Sequence, residues 1–174
     1  GLRVKRLLFL PVVFATAVLT APLRAQTADT LDLAGPWKFF KGDNAAWSKV
    51  DFVDTLWKDI NVPGSWQDQG NEGYQGFAWY RKHITLPGAW KTDTVVTKGG
   101  VLGLDLGEIS DSYEVYFNGA LVKQSGKFPP TFEPSGQKAM TGVPNANLNW
   151  GGDNVIAVRV YDQSAPGGIL SGNP

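Results

Sequence analysis

The chain has 174 residues, 16 Lys and Arg against 16 Asp and Glu, and no cysteine. Such a length suits one domain with one real core. The missing cysteines exclude a disulfide framework and the common Cys/His zinc spacings, and the even charge balance disfavours a broad basic surface for nucleic acid or anionic lipid.

Gly1–Arg6 carries Arg3, Lys5 and Arg6, Leu7–Leu23 is almost wholly apolar, and Leu23-Arg24-Ala25 precedes a polar run. A basic start, an apolar stretch and a small residue at a cleavage point predict a secretory signal peptide. Pro11 and the short apolar run argue against a spanning helix, which needs about 20 apolar residues. The expected division is a signal peptide over 1–25 and one domain over 26–174. The expected localisation is secreted or periplasmic, with no membrane partner after cleavage. Removing four basic residues leaves 12 basic against 16 acidic, a net charge of −4. Nucleic acid is not an expected partner.

Leu33–Lys41 (LAGPWKFFK) reads as a first strand, with Pro36 suited to its start or to an edge. Ala45–Trp57 spaces its aromatic residues irregularly and fits at most a short helical turn. Asp59–Trp66 reads as a short strand ending in a Pro-Gly turn. Gln67–Gly76 (QDQGNEGYQG) is polar and Gly-rich, an exposed loop. Phe77–Leu86 (FAWYRKHITL) is a clear strand, and Ala89–Gly100 a loop or ragged strand.

Val101–Val122 is the most regular stretch. Leu102, Leu104 and Leu106 alternate with Gly103, Asp105 and Gly107, the period of a half-buried strand. After a break at Glu108–Ser112, Val115 and Phe117 resume it. Asn118-Gly119 then supplies the two positive-φ positions of a tight hairpin turn. Gly126–Pro134, with three prolines, is expected to run extended along an edge. Ser135–Trp150 reads as a loop with a short strand near Lys138–Val143. In Asp153–Asp162 (DNVIAVRVYD), Ile156, Val158 and Val160 form one face and Ala157, Arg159 and Tyr161 the other. Gln163–Pro174 reads as a loop with no strand. Many short strands between turn signals predict an all-β jelly-roll β-sandwich of about eight antiparallel strands.

Candidate chemistry is sparse. His83, the single histidine, shares a strand face with Trp79 and Arg81. No G-x-S-x-G elbow accompanies it, and no phosphate-binding glycine loop follows a strand. The acids mostly sit in predicted turns, where they bond local backbone or face water, and no spacing singles out a hydrolytic pair. No catalytic residue is therefore expected in this chain, and no cofactor. Structural calcium at Asp43/Asn44 or Asp153/Asn154 is the alternative, without a specific ligand spacing.

Aromatic residues are the stronger lead. An exposed ring covers the C–H face of a sugar while amides and carboxylates bond its hydroxyls. Trp66, Tyr74, Phe77 and Trp79 flank a loop offering Gln67, Asp68 and Glu72. These residues make carbohydrate an expected partner, with core packing the competing use of each ring.

LAGPWKF, NVPGSWQDQG, GFAWYRKHITLP, LDLGEISDSYEVYFNGALV and DNVIAVRVYD together resemble the N-terminal sugar-binding, galactose-binding-like jelly-roll domain of family 2 glycoside hydrolases, the β-galactosidase and β-glucuronidase group. A similar domain occurs in sialate O-acetylesterases, and APGGI at Ala165–Ile169 fits that variant. The resemblance implies catalytic groups on a separate, adjacent domain. It also implies sugar-pocket contacts from the loop Gln67–Gln75 and from the loop Asp162–Ile169, which adds Asp162 and Gln163 to the candidates. The expected function is a secreted accessory module of a family 2-like protein, non-catalytic alone. The alternatives are part of an active glycosidase or sialate O-acetylesterase, and a protein-docking module.

Overall fold

The structure is a computed structural model that describes residues 30–93, 98–135, 138–164 and 166–171. The expected signal segment and Ala165 lie outside the described residues. Among those described, the helical elements are 3-10 stretches of three to five residues and every other regular element is a strand.

Ten strands are present among the described residues: β1 Gly35–Lys41, β2 Lys58–Val62, β3 Gly76–Thr85, β4 Val101–Asp105, β5 Glu108–Ile109, β6 Ser112–Phe117, β7 Ala120–Ser125, β8 Met140–Pro144, β9 Asp153–Asp162 and β10 Ile169–Ser171. One sheet has six strands in the order β2-β1-β3-β9-β6-β7. The pairs β4-β8 and β5-β10 make up the facing layer, and all pairing is antiparallel. This is a β-sandwich of the expected jelly-roll class.

β3 and β9 pair over ten positions, from Gly76↔Asp162 to Thr85↔Asp153. Both are central strands with apolar residues on both faces, so both are covered. The main core lies between the layers. Trp37, Phe39, Tyr80, Val158, Val160, Tyr113 and Val115 from the large sheet meet Leu102, Leu104, Leu106, Val143, Ile109 and Ile169. The leucine alternation thus faces the core as read.

The outer face carries a second, smaller core of Trp57, Trp79 and Ala157, packed by Trp47, Phe52 and Tyr116. The segment between β1 and β2 supplies three of these rings. It begins with a single helical turn, Ala45–Ser48, capped by the Asn44 side chain. A buried cation holds the segment down. Arg81 Nε donates to Asp54 Oδ2 at 2.8 Å, and its remaining nitrogens donate to the carbonyls of Trp47, Lys49 and Phe52. His83, further along the same face, bridges Asp54 and Asp153.

Asn118 forms the turn between β6 and β7 at φ 49°, as its sequence predicts. Its side chain also donates to Asn147 O and Asn154 Oδ1, and its Oδ1 accepts from Val155 N. Asn118→Ala is expected to lower unfolding stability by about 2 kcal/mol, since it loses three bonds and puts at positive φ a residue that tolerates it less well than Asn. Urea denaturation checks this. Asn118→Gly, which relieves only the backbone, should recover less than half.

Two expectations need correction. Gly126–Pro134 is not an extended edge: Lys127 and Glu133 exchange backbone bonds at 2.8 and 3.1 Å and close the prolines into a loop. The C-terminal stretch is not strandless, because β10 pairs with β5. Both are very short strands whose pairing is long-range, so neither leaves a periodic signal.

Candidate functional site

The candidate residues gather at one end of the sandwich, where β2 and β9 run out into loops. β2 leads to Pro63-Gly64 and then to Trp66, whose ring is fully buried. Trp66 packs against Phe39 and Tyr74 with ring centroids 5.8 Å apart in each case. Its Nε1 donates to Tyr74 O at 3.1 Å. The ring is the pin on which Gln67–Tyr74 folds back. A single turn, Gln67–Gln69, follows it and ends at Gly70, whose φ of 84° is the left-handed region that favours glycine.

Gln67 joins this loop to the one after β9. Its Nε2 donates to Asp162 Oδ2 and Tyr74 O, both at 3.1 Å, and its Oε1 accepts from Gly167 N at 2.9 Å. Backbone bonds reinforce the seam: Gly64 N donates to Ile169 O and Trp66 N to Gly167 O. At Gly167 an added Cβ would stand 2.4 Å from the Trp66 ring and 2.7 Å from Asp162 Oδ2. At Gly168 it would meet the Tyr80 hydroxyl at 2.8 Å. The two glycines are what let the loops close on each other.

Asp162 ends β9 and is fully buried. Burial first, and then the neighbouring Asp111 carboxylate, hold its carboxyl above the usual range, against the lowering by Gln67 and by the Ser164 N–H. Because the folded chain holds this proton more tightly than the unfolded chain, the favourable contribution is complete at low pH. It is lost as pH rises through the folded pKa. Asp162→Asn should therefore gain on the parent in urea midpoint as pH rises above the ordinary carboxylate range. A midpoint difference that stays constant with pH would contradict this assignment.

Asp68 and Glu72 are exposed on the rim. Asp68 Oδ2 accepts from Ser65 Oγ at 3.0 Å, and Asp68 N donates back to Ser65 Oγ at 3.1 Å. Tyr74 is half-buried, its hydroxyl donates to Phe77 O at 2.5 Å, and Lys41 Nζ sits 5.0 Å from its ring centroid. Gln163 is exposed, and its N–H donates to Asp111 Oδ2 at 2.8 Å.

The structure brings together Gln67, Asp68, Glu72, Tyr74, Asp162 and Gln163. It does not bring Trp79 to them. That ring is fully buried on the opposite face of the large sheet, stacked on Tyr116, with Nε1 donating to Asp43 Oδ1 at 3.0 Å. Trp66 and Trp79 both pack and present no ring face to solvent; Tyr74 is the half-buried ring of the set, with Trp66 against it and Lys41 over it. Sequence reading took in Gly167 only as part of the loop Asp162–Ile169 and missed Ser110 and Asp111 as parts of the site. Ser110 Oγ accepts from Gly168 N at 3.0 Å. The paired glycines after a strand end were a visible signal, whereas Ser110 and Asp111 reach the site only through the sheet.

Asp43 is taken up by Trp79 and Arg159, and Asp153 by His83. Among the described residues no three His, Asp or Glu side chains gather as a metal site.

No protein-family model matches the chain. It is 27% identical over 139 residues to a β-glucuronidase of Formosa agariphila, covering 71% of this chain and 12% of that protein. It is 28% identical over 131 residues to a β-galactosidase of Psychromonas ingrahamii, covering 59% of this chain and 12% of that protein. A calcium-binding mutant of Bacteroides uniformis β-glucuronidase 2 superposes with a TM-score of 0.63 at 26% identity, over 81% of this chain and 17% of that one. The homologues of this chain are thus family 2 glycoside hydrolases, and the chain spans about one eighth of the length of the curated relatives it matches.

Proposed function

We propose that this chain, a relative of family 2 glycoside hydrolases that corresponds to a small part of them, is an exported accessory jelly roll. It is non-catalytic alone, and its rim loops contact carbohydrate beside a catalytic domain. The observation that carries this reading is the seam at the end of the sandwich. Gln67 ties the loop after β2 to the loop after β9 through Asp162 and Gly167. Two loops distant in sequence are thereby held as one rigid edge. That edge offers the Asp68 and Glu72 carboxylates, the Gln163 amide and the half-buried Tyr74 ring, the kinds of group that bond sugar hydroxyls and cover a C–H face. Rigid placement matters because the loops then lose little conformational freedom when they bind.

Two measurements test the reading. Oligosaccharides are titrated into the chain while its intrinsic fluorescence is followed, and chromogenic β-glucuronides and β-galactosides are offered to the chain alone. The expected result is a saturable response to a sugar without turnover. Turnover by the purified chain, lost in Asp162→Asn, would refute the accessory role. N-terminal sequencing of exported material should begin at Gln26.

Protein docking is supported by a separate observation. Val53 and Leu56 are 71% and 94% exposed on the segment held by Arg81, and Val50 lies nearby at 48%. Such an apolar patch on a module that corresponds to one part of larger relatives suits a neighbouring domain of the same protein.

A further inference from the structure

An edge strand exposes backbone N–H and C=O groups that a further strand can take up. β2 is such a strand: among the described residues it pairs with β1 alone. Pro36 stands opposite Asn61 in that pairing and has no N–H to give. The Pro36 carbonyl is taken by Lys82 Nζ of β3 at 3.1 Å, on the side away from β2. Asn61 therefore aims its own N–H and C=O at the open edge. Every second residue of an antiparallel strand does the same, so Asp59 shares that row. A cleft of about 550 Å³ runs beside it, lined by Lys58, Asp59, Ile60 and Gln69 among others.

Gln69 closes the row at Asn61. Its Oε1 accepts from Asn61 N at 2.7 Å and its Nε2 donates to Asn61 O at 2.9 Å. These are the two bonds that a residue of an added strand would exchange with Asn61. The amide is held in place from several sides. Nε2 also donates to Ser65 O at 3.2 Å, and the turn Gln67–Gln69 with Gly70 behind it fixes the backbone. An added Cβ on Gly64 would stand 2.9 Å from Nε2, so that glycine makes the room.

The row is complementary to itself. When two β2 strands pair antiparallel about Ile60, Asp59 of one copy exchanges both bonds with Asn61 of the other. The twofold axis repeats that exchange. Lys58 then falls opposite Val62 and Ile60 opposite its own copy, so no like charges meet across the pair. Each of the two exchanges uses one Asn61. A single amide on Asn61 therefore blocks the whole pairing, not one position of it. We propose that β2 is a strand-addition surface for a second copy of this chain, and that Gln69 is the autoinhibitory latch that keeps it closed.

The test compares the full chain with Gln69→Ala, by sedimentation velocity over a concentration series and by amide hydrogen exchange. The expected result is self-association at least about tenfold tighter in Gln69→Ala than in the parent. The amides of Asp59 and Asn61 should gain protection as its concentration rises. Adding Asn61→Asp to Gln69→Ala places an acid opposite Asp59 of the other copy at both exchanges, and should return association to the parent level. If Gln69→Ala does not fold, Gln69→Glu is read in its place. It keeps the length and an acceptor for Asn61 N but gives no donor to Asn61 O, and association between that of the parent and about tenfold tighter is expected. Association no tighter than the parent in the variant that folds would overturn the proposal. So would a dimer in which Asp59 and Asn61 gain no protection, or one that persists when Asn61→Asp is added.

Discussion

Arg81→Met is expected to destabilise the chain by about 3–5 kcal/mol, the range for breaking a buried ion pair by removing one partner. The guanidinium is fully buried, and Asp54, its partner at 2.8 Å, is 6% exposed. Removing it leaves a buried carboxylate and also strips the donor from the carbonyls of Trp47, Lys49 and Phe52. Each of those carbonyls belongs to the segment that covers the outer face. For a domain of this size the loss corresponds to a melting temperature lower by about 10 °C or more. The fluorescence of Trp47 and Trp57 should shift to longer wavelength before global unfolding, because the covering segment loosens first. Arg81→Lys keeps the charge without the fork of donors and should fall between the two. The double variant Arg81→Met/Asp54→Leu should be less destabilised than Arg81→Met, since it leaves no unpaired charge. A melting temperature for Arg81→Met within about 2 °C of the parent would show that aromatic packing alone holds the segment.

Trp66→Ala should produce a loss of similar size, about 3–5 kcal/mol, through a different term. The ring is fully buried, contacts Phe39 and Tyr74, and lies where a Cβ at Gly167 would have to stand. Its removal opens a cavity between the two rim loops and takes away the donor to Tyr74 O. The expected signature is therefore double: a lower urea midpoint, and loss of any saccharide response at Gln67, Tyr74 and Gln163. Trp66→Phe refills part of the cavity and should restore most of the stability but not the bond to Tyr74 O. A Trp66→Ala chain that keeps its sugar response would mean that the loops hold their shape without the pin. Gln67 and the backbone bonds from Gly64 and Trp66 would then carry the seam, and Gln67→Ala tests the share of the side chain.

Much of the framework was legible in the residues. The leucine alternation over 102–106, the Asn118-Gly119 turn and the two faces of Asp153–Asp162 are local patterns, and local patterns survive into the fold when one face is buried. The resemblance to family 2 glycoside hydrolases agrees with the relatives found and with the sandwich observed. The candidate site was legible in part. The polar loop after Trp66 and the end of the last long strand could be picked out separately. Their union through Gln67, Asp162 and Gly167 spans about a hundred residues and leaves no local trace.

Trp66 and Trp79 mark the boundary between the two kinds of knowledge. Both flank a polar loop in sequence, and an aromatic residue there suits a sugar platform or a core equally well. Only the packing decided: Trp66 faces the main core and Trp79 the outer one. The sequence by itself determined which of the longer segments are strands, because side-chain alternation is written every second residue. The tertiary structure decided which loops share an edge and which rings are spent on packing. Those outcomes depend on strand order and long-range pairing, and neither is encoded in any one stretch of the chain.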